Sequence, residues 1–158
     1  MTDSILWRRL DSRFDELWPI MRSITGPGFR ESLKILQNEM PLIIESIPSG
    51  TQVFDWEIPP EWLITDARLT GPDDEVYADR DDRNLAVMNY SAPVDRHLTL
   101  AELEPHLYST PTLPEATPYV TSYYEQNWGF CLPREIVSLF LPVSITQKSI
   151  QSSITVDD

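Results

Sequence analysis

Side chains that could bind a metal ion are scarce in this sequence. Its two histidines, His97 and His106, stand nine positions apart, and no H-E-x-x-H, H-x-D or H-x-H spacing is present. A catalytic zinc site usually takes three protein ligands, so the sequence argues against a zinc site built from this chain alone. We expect His97 to be exposed in a loop and His106 to pack at the end of a short helix.

An acidic stretch from residue 73 to residue 82 is the second candidate for cation binding. It holds five aspartates and one glutamate, but Arg80 and Arg83 interrupt it. It also lacks the ligand spacing of a calcium loop. We therefore expect a solvated hairpin turn in place of a calcium site.

The single cysteine, Cys131, is the only candidate thiol nucleophile. It follows Trp128-Gly129-Phe130, and apolar surroundings raise the pKa of a thiol. This setting predicts a buried, inert side chain. A thiol enzyme that uses Cys131, for example with His106, stays open as an alternative hypothesis.

Two arginines near the N-terminus are candidates for anion binding. Arg22 lies in M-R-S-I-T-G, and Arg30 lies at the start of a predicted helix. A cation near a helix N-terminus opposes the helix dipole, so helix stability does not explain Arg30. We favour an ion pair with a carboxylate such as Glu31 or Glu16, and contact with an anionic ligand is the alternative.

Five aromatic residues cluster between positions 119 and 130 of the sequence. They are Tyr119, Tyr123, Tyr124, Trp128 and Phe130. Such rings can line a pocket or an interface. We favour a core position in which the polar tips of the side chains face outward.

The charge balance excludes several classes of partner. The 158 residues include 12 lysines and arginines against 25 aspartates and glutamates, which gives a formal net charge of −13. Binding to a nucleic-acid backbone or to an anionic membrane needs a basic surface. The charge therefore argues against nucleic-acid and membrane partners. The sequence also shows neither a signal peptide nor a long apolar run, so we expect a soluble, cytoplasmic protein.

Periodic apolar residues predict two helices at the start of the chain. The first has an apolar stripe over residues 6–21 and is expected to kink or end near Trp18, because Pro19 has no backbone N–H to donate. Gly26-Pro27-Gly28 then breaks the chain. The second helix is expected over residues 29–40.

The remaining elements are predicted from alternation and from turn and cap residues. Thr99 and Glu102 form a capping box that predicts a helix over residues 100–107, and Pro133 begins a helix that runs through Phe140. The tail, 144–158, is either an edge strand or a frayed end. Strands or β-rich segments are expected at 42–47, 51–58, 62–69, 76–78, 84–90 and 119–124. Helices at the ends and strands in the middle indicate an α+β fold.

Five motifs, taken in order, resemble one known family. They are L-W-P-I-M-R-S-I-T-G-P-G-F-R-E-S-L (17–33), P-S-G-T-Q-V-F-D-W-E-I-P-P-E-W (48–62), N-L-A-V-M-N-Y-S-A-P-V (84–94), L-T-L-A-E-L-E-P-H-L (98–107) and P-Y-V-T-S-Y-Y-E-Q-N-W-G-F-C-L (118–132). The succession covers roughly residues 12–133. It closely resembles the N-terminal part of a bacterial family of aminopeptidase-like proteins. Its members carry an inserted domain of unknown function and often lie near polysaccharide-biosynthesis genes.

The resemblance implies three segments. Residues 1–45 would be the N-terminal helices of an α/β aminopeptidase-like core, and residues 46–130 would be an inserted β-rich domain. Residues 131–158 would return to the core as a helix and a frayed tail, although 144–158 matches the family only loosely. The chain would then be the N-terminal and inserted-domain portion of a zinc metallohydrolase.

The resemblance also implies where the chemistry would lie. Family members look like zinc peptidases in which metal-activated water attacks a peptide carbonyl near a free N-terminus, with a carboxylate as general base. Their metal ligands lie beyond the segment that this sequence matches. No catalytic residue and no cofactor is therefore expected in this chain, and zinc is expected only in a full-length parent.

On this hypothesis the chain shapes the substrate cleft. Tyr123, Tyr124 and Trp128 are the candidate groups that face the cleft, with Arg22 and Arg30 as anion or carboxylate contacts. The apolar stripes of the two N-terminal helices would need a cover, which would be the remainder of the peptidase core, a protein partner or a second copy of the chain. The alternative is a stand-alone, non-catalytic protein-interaction module.

Overall fold

The computed structural model describes residues 2–72, 74–123, 125–140 and 150–157, and its helices and strands make an α+β fold, as predicted. The chain forms two compact units. One runs up to Leu63, and the other spans Ile64–Asp157. The domain boundaries that the family resemblance implies, after residues 45 and 130, stay predictions.

Two helices begin the first unit. α1 (Thr2–Leu17) ends before Pro19, as predicted, and α2 (Pro27–Gln37) has a proline in its first turn. Gly26 precedes α2 with a φ of 91°, in the left-handed region that favours glycine.

The apolar stripe of α1 is exposed in the first unit. Trp7, Phe14 and Trp18 keep 64%, 61% and 67% of their surface exposed. The rings of Phe14 and Trp18 stack on each other, with centroids 5.6 Å apart. Arg13, on another face of the helix, forms an ion pair with Glu39 after α2. Within this unit, α1 therefore directs charged side chains toward Glu39 and leaves its stripe uncovered.

The segment after α2 corrects two predictions. Residues 42–47 form neither a helix nor a strand, and Ile43 is 90% exposed, so this apolar run is not buried against another element of the first unit. Residues 51–58 form a small hairpin and not one strand. β1 (Gln52–Val53) pairs with β2 (Trp56–Glu57) around a turn in which Phe54 has a φ of 57°.

A second hairpin opens the other unit. β3 (Leu63–Thr70) pairs with β4 (Val76–Asp79) in antiparallel register, which confirms the predicted strand and its return. Arg68 lies opposite Asp79 and donates to its Oδ2 atom at 2.9 Å. Asp81 and Asp82 just beyond the hairpin are exposed, as expected of a solvated turn.

The segment 84–90 is buried but is not the regular strand that its sequence predicts. Val87 makes a single bridge to Phe130, and Asn89 makes one to Thr121. Tyr90 has a φ of 63°, so the backbone leaves the extended conformation at this point. The apolar pattern therefore predicts the burial correctly and the secondary structure wrongly.

A strand that was not predicted comes next. β5 (Val94–Leu98) carries His97 as an exposed residue, so His97 lies on a strand and not in a loop. α3 (Leu100–Leu103) begins with the predicted capping box, in which Glu102 accepts from the Thr99 backbone N–H at 2.8 Å. A 3-10 turn, Glu104–His106, extends it and places His106 at its end, as expected.

Two short strands flank residues 109–129, a segment with three prolines between residues 109 and 118. β6 (Leu107–Tyr108) pairs in parallel with β7 (Phe130–Cys131). The segment 119–124 was predicted to be β-rich. Its described residues contain a single bridge, at Thr121.

The C-terminal elements complete the second unit. α4 (Arg134–Phe140) follows Pro133, as predicted, and β8 (Ile150–Asp157) pairs antiparallel with β5. The strand order β4-β3-β8-β5 places β8 inside the sheet, so the prediction of an edge strand or a frayed end is wrong for this part of the tail. Residues 144–149 of the predicted tail lie outside the described residues. The β-branched residues of the tail explain why it can form a strand.

The core of the second unit is built from strands, from α3 and from the irregular buried segment. Phe130, Leu69, Met88, Leu103 and Leu132 are its largest fully buried apolar side chains. Among the described residues, no helix is long and apolar enough to cross a membrane.

Candidate functional site

The second unit gathers aromatic and polar side chains around His106. We call His106, Tyr108, Asn127 and Trp128 the His106 cluster. The 3-10 turn and β6 supply the first two residues, and the segment that leads into β7 supplies the other two. The parallel pairing of β6 with β7 fixes the two segments side by side, with Leu107 opposite Phe130.

His106 and Trp128 make the closest contact in the cluster. Their rings stack with centroids 3.8 Å apart and an interplanar angle of 14°. The Nδ1 atom of His106 lies 2.9 Å from the backbone carbonyl oxygen of Trp128. Because a carbonyl oxygen can only accept, Nδ1 carries the proton and donates it. In the neutral ring, Nε2 is then an acceptor for a donor group of a ligand.

Asn127 connects the two segments with its side-chain amide. Its Nδ2 atom donates to the hydroxyl oxygen of Tyr108 at 3.3 Å, and its Oδ1 atom accepts from the backbone N–H of Trp128 at 2.8 Å. Both residues are half-buried. The amide therefore orients the tip of Tyr108 and the turn that precedes Gly129.

Gly129 allows the two segments to approach this closely. A Cβ atom there would lie 2.5 Å from the Tyr108 ring and 2.7 Å from the backbone carbonyl oxygen of His106. The buried hydroxyl of Ser91 accepts from the Gly129 N–H at 3.3 Å and donates to the Met88 carbonyl at 2.7 Å. A side chain at position 129 would separate the elements that carry the cluster.

The predicted cleft residues fall into separate contacts. Tyr123 packs edge-on against Tyr90, with centroids 4.7 Å apart, whereas Trp128 stacks on His106. Tyr124 lies outside the described residues. Tyr123 and Trp128 are both half-buried, so each combines packing with a surface that a ligand could contact.

The two predicted arginines lie in the first unit and have structural partners. Arg22 donates to the backbone carbonyl of Leu17 and so satisfies an acceptor at the C-terminal end of α1. Arg30 forms a two-pronged ion pair with Glu61, with the second contact at 3.0 Å. The hydrogen bond with Glu61 raises the pKa of Arg30, and the same bond lowers the pKa of the Glu61 carboxyl. The preference for an ion pair at Arg30 is confirmed, but the partners suggested from the sequence, Glu31 and Glu16, are wrong.

Cys131 has the buried, inert character that the sequence predicts. The residue is fully buried, and burial raises the pKa of its thiol to about 12. Since the thiolate is the nucleophile, this environment does not support the alternative of a thiol enzyme that uses Cys131.

The donor side chains present do not fit a zinc site. The described part of the chain contains no group of three or more His, Cys, Asp or Glu side chains that could hold a metal ion. His106 is engaged with both the ring and the carbonyl of Trp128, and His97 is exposed on β5. We therefore assign no metal chemistry to these residues.

Three residues of this region were not identified as site residues from the sequence: Ser91, Tyr108 and Asn127. They are distant in sequence from one another and carry no catalytic motif. The one local signal was the glycine in Asn127-Trp128-Gly129, which can mark a close backbone approach.

Comparison with known proteins gives three matches. A family model described as "Domain of unknown function (DUF2172)" matches residues 61–141. A Clostridium acetobutylicum protein named "Putative polysaccharide biosynthesis protein with aminopeptidase-like domain" is 48% identical over 118 residues. A crystal structure from the same species, described as a putative peptidase, superposes with a TM-score of 0.80 at 39% identity.

The matched proteins are much longer than this chain. The alignment with the named relative covers 75% of this chain and 27% of that protein. The structural match covers 92% of this chain and 33% of the solved chain. The relatives are thus peptidase-like proteins, and this sequence corresponds to a minor part of their length.

Proposed function

Because the chain belongs to the DUF2172 family, we propose that it is the N-terminal and inserted-domain portion of an aminopeptidase-like zinc hydrolase. The observation that carries the proposal is the structural likeness to the clostridial peptidase-like protein, at a TM-score of 0.80 over 92% of this chain. Its sequence identity of 39% supports a shared role and not only a shared fold.

In this proposal the chain shapes the substrate cleft, and the rest of a longer protein supplies the metal ligands. The His106 cluster is the part of the described chain best suited to contact a peptide. Its half-buried rings offer an apolar surface, and the Nε2 atom of His106 and the hydroxyl of Tyr108 offer polar contacts. Binding by these groups would orient a substrate, and no bond-breaking step is assigned to them.

The stripe of α1 fits the same proposal. Trp7, Phe14 and Trp18 are largely exposed in the first unit, and the remainder of a peptidase core would cover them. Zinc would then bind only in the complete protein.

The second candidate function is a stand-alone, non-catalytic interaction module. The observation that favours it is the same stripe, because an exposed row of aromatic side chains is a common feature of protein-binding surfaces. Here a protein partner or a second copy of the chain would cover α1.

An aminopeptidase assay of the complete gene product separates the two candidates. The first candidate predicts zinc-dependent release of the N-terminal amino acid from aminoacyl amides. A complete, zinc-loaded product that hydrolyses no aminoacyl amide would contradict the hydrolase.

A substitution in the same assay tests the cleft role. In the active product, Trp128→Ala should raise KM about tenfold with a smaller change in kcat, because it removes a stacking surface and no reacting group. Trp56→Ala, in the exposed hairpin of the first unit, is the matched control and should leave KM unchanged. Equal effects of the two substitutions would contradict a cleft role for Trp128, and circular dichroism would verify that both variants fold.

A further inference from the structure

The first unit contains an arginine-lined groove along α1, which no role proposed above uses. It has a volume of about 550 Å³. Its lining residues are Ile5, Arg8, Arg9, Ser12, Arg13 and Glu39. Three guanidinium groups thus surround a single lining carboxylate, in a chain whose formal net charge is −13.

Helical spacing explains how the sequence builds this groove. The side chains that line the groove from α1 are residues 5, 8, 9, 12 and 13. Their neighbours in this set lie alternately three positions and one position apart, which places them on one face of α1. The aromatic stripe with Trp7 and Phe14 occupies a different face. The segment after α2 contributes Glu39, which closes the groove from the other side.

Glu39 already binds two of the three arginines. Arg9 donates to it through one terminal nitrogen, and Arg13 donates through Nε at 2.7 Å. These hydrogen bonds lower the pKa of the Glu39 carboxyl. Glu39 is only 19% exposed, so a carboxylate oxygen is held in a partly enclosed, positively charged site. The groove therefore already binds one oxyanion, from its own chain.

Arg8 and Arg9 keep N–H donors that these hydrogen bonds do not use. Arg8 uses Nε for the backbone carbonyl of Ser4, at 3.1 Å. Within the described residues, this leaves both terminal nitrogens of Arg8 without a protein acceptor. Arg9 likewise retains Nε and one terminal nitrogen. Each guanidinium keeps a pair of N–H donors in the planar arrangement that matches two oxygens of one anion.

We propose that this groove binds the phosphoryl group of a small ligand through Arg8 and Arg9, beside Glu39. A phosphoryl group has nearly two negative charges at neutral pH, so it competes for guanidinium donors better than a carboxylate with one charge. The groove volume is within the range of small-molecule sites, and the apolar side chain of Ile5 would contact the rest of the ligand. The proposal does not depend on peptidase activity.

Titration of the full chain with inorganic phosphate at constant ionic strength tests the proposal. Isothermal calorimetry or NMR of the arginine Nε–H signals should show saturable binding at phosphate concentrations up to about 10 mM. Arg8→Gln should weaken this binding about tenfold, since it removes a charge-assisted pair of donors. Arg8 donates only within its own helix, so the variant should keep its fold, which circular dichroism would verify.

Matched substitutions separate a site from general charge effects. Arg96→Gln removes the same charge from the exposed face of β5 and should leave the affinity within about twofold. Glu39→Gln should strengthen phosphate binding severalfold because it removes the resident competitor, whereas Glu31→Gln on α2 should not.

The source of the phosphoryl group is resolved by a second titration. Tighter binding of glucose 6-phosphate than of inorganic phosphate would support a phosphorylated metabolite, and equal affinity would support free phosphate. Acetate should bind more weakly than either. Absence of saturable phosphate binding, or equal weakening by Arg8→Gln and Arg96→Gln, would overturn the proposal.

Discussion

Single arginine side chains join the segments of the first unit. Arg22 satisfies a carbonyl at the end of α1, and Arg30 holds Glu61 in a two-pronged ion pair. Arg13 joins α1 to Glu39 across 26 positions of sequence. Substitution of any of these residues therefore changes the local structure before it changes a ligand contact. Any assay of their role in substrate binding must include a stability control.

The pH dependence of stability tests the ion pairs of Glu39 with Arg9 and Arg13. Its pKa is lowered from the ordinary 4.5, chiefly by hydrogen bonds from Arg9 and Arg13. A lowered pKa in the folded state means that the ionised group stabilises the fold above pH 4.5, and that this contribution is lost as the pH falls through the folded-state pKa. Urea unfolding should therefore show wild type more stable than Glu39→Gln near neutral pH, with a difference that shrinks on acidification. The same experiment with exposed Glu45→Gln should show little difference at any pH, and a pH-independent difference for Glu39→Gln would contradict the ion pairs.

Thiol labelling tests the burial of Cys131. Because burial raises its pKa to about 12, the thiol should resist a thiol-specific disulfide reagent in the native protein and react fully in denaturant. An added cysteine in the exposed hairpin, Gln52→Cys, should react at once and serves as the internal control. Rapid native labelling of Cys131 would reopen the thiol-enzyme hypothesis.

At the scale of elements, local signals predicted the helices well. Pro19 marked the end of α1, and the capping box at Thr99 and Glu102 marked the start of α3. Both boundaries depend on hydrogen bonds between residues only a few positions apart, so a short stretch of sequence is enough to predict them.

Strands were harder to predict, because pairing partners lie far apart in sequence. Segments 42–47 and 84–90 have strand-like composition, yet neither forms a regular strand in the structure. β5 and β8 pair over 50 positions apart, with Leu98 opposite Ile150. β5 was not predicted as a strand, and β8 was not predicted to lie inside the sheet. The His106 cluster was missed in part for the same reason, since Tyr108 and Asn127 meet only through the β6–β7 pairing.

The helix cap makes a quantitative prediction at this scale. Thr99→Ala removes the hydroxyl that accepts from the Glu102 backbone N–H, and it should lower the free energy of unfolding by about 1 kcal/mol. Thr121→Ala replaces an exposed threonine outside any helix and should change stability by less than about 0.5 kcal/mol. Urea denaturation of both variants checks this, and an equal loss in the two would argue against the cap.

A substitution at Gly129, where two segments approach closely, should lower stability more than the loss of the helix cap. An alanine Cβ would lie 2.7 Å from the His106 carbonyl oxygen, a backbone atom that cannot rotate away, so Gly129→Ala should cost about 2 kcal/mol or more. Gly50→Ala is the comparison, because its Cβ meets nothing within 4 Å and only its φ of 79° is unfavourable. That strain is worth about 1 kcal/mol. Thermal or urea unfolding that ranks Gly50→Ala as the more damaging change would contradict the packing around Tyr108.

At the scale of the whole molecule, exposed apolar surface and the length of the relatives are the two observations behind the proposal that this chain is part of a longer peptidase-like protein. The stripe of α1 is uncovered in the first unit, and the structural relative is about three times as long as the part that this chain matches. The family resemblance was predicted from five ordered motifs, and the family model, the named relative and the solved structure confirm it. Membership in a peptidase-like family was therefore readable from sequence, whereas the contacts of the site required the structure.

The intact mass of the native product in its source cell tests the central proposal most directly. A part of an aminopeptidase-like zinc hydrolase should be recovered as a product severalfold heavier than the 18.2 kDa of this chain, with zinc bound in native mass spectrometry. A product near 18.2 kDa without zinc would contradict the hydrolase proposal. It would leave the interaction module, with a partner or a second copy of the chain on α1, as the function to pursue.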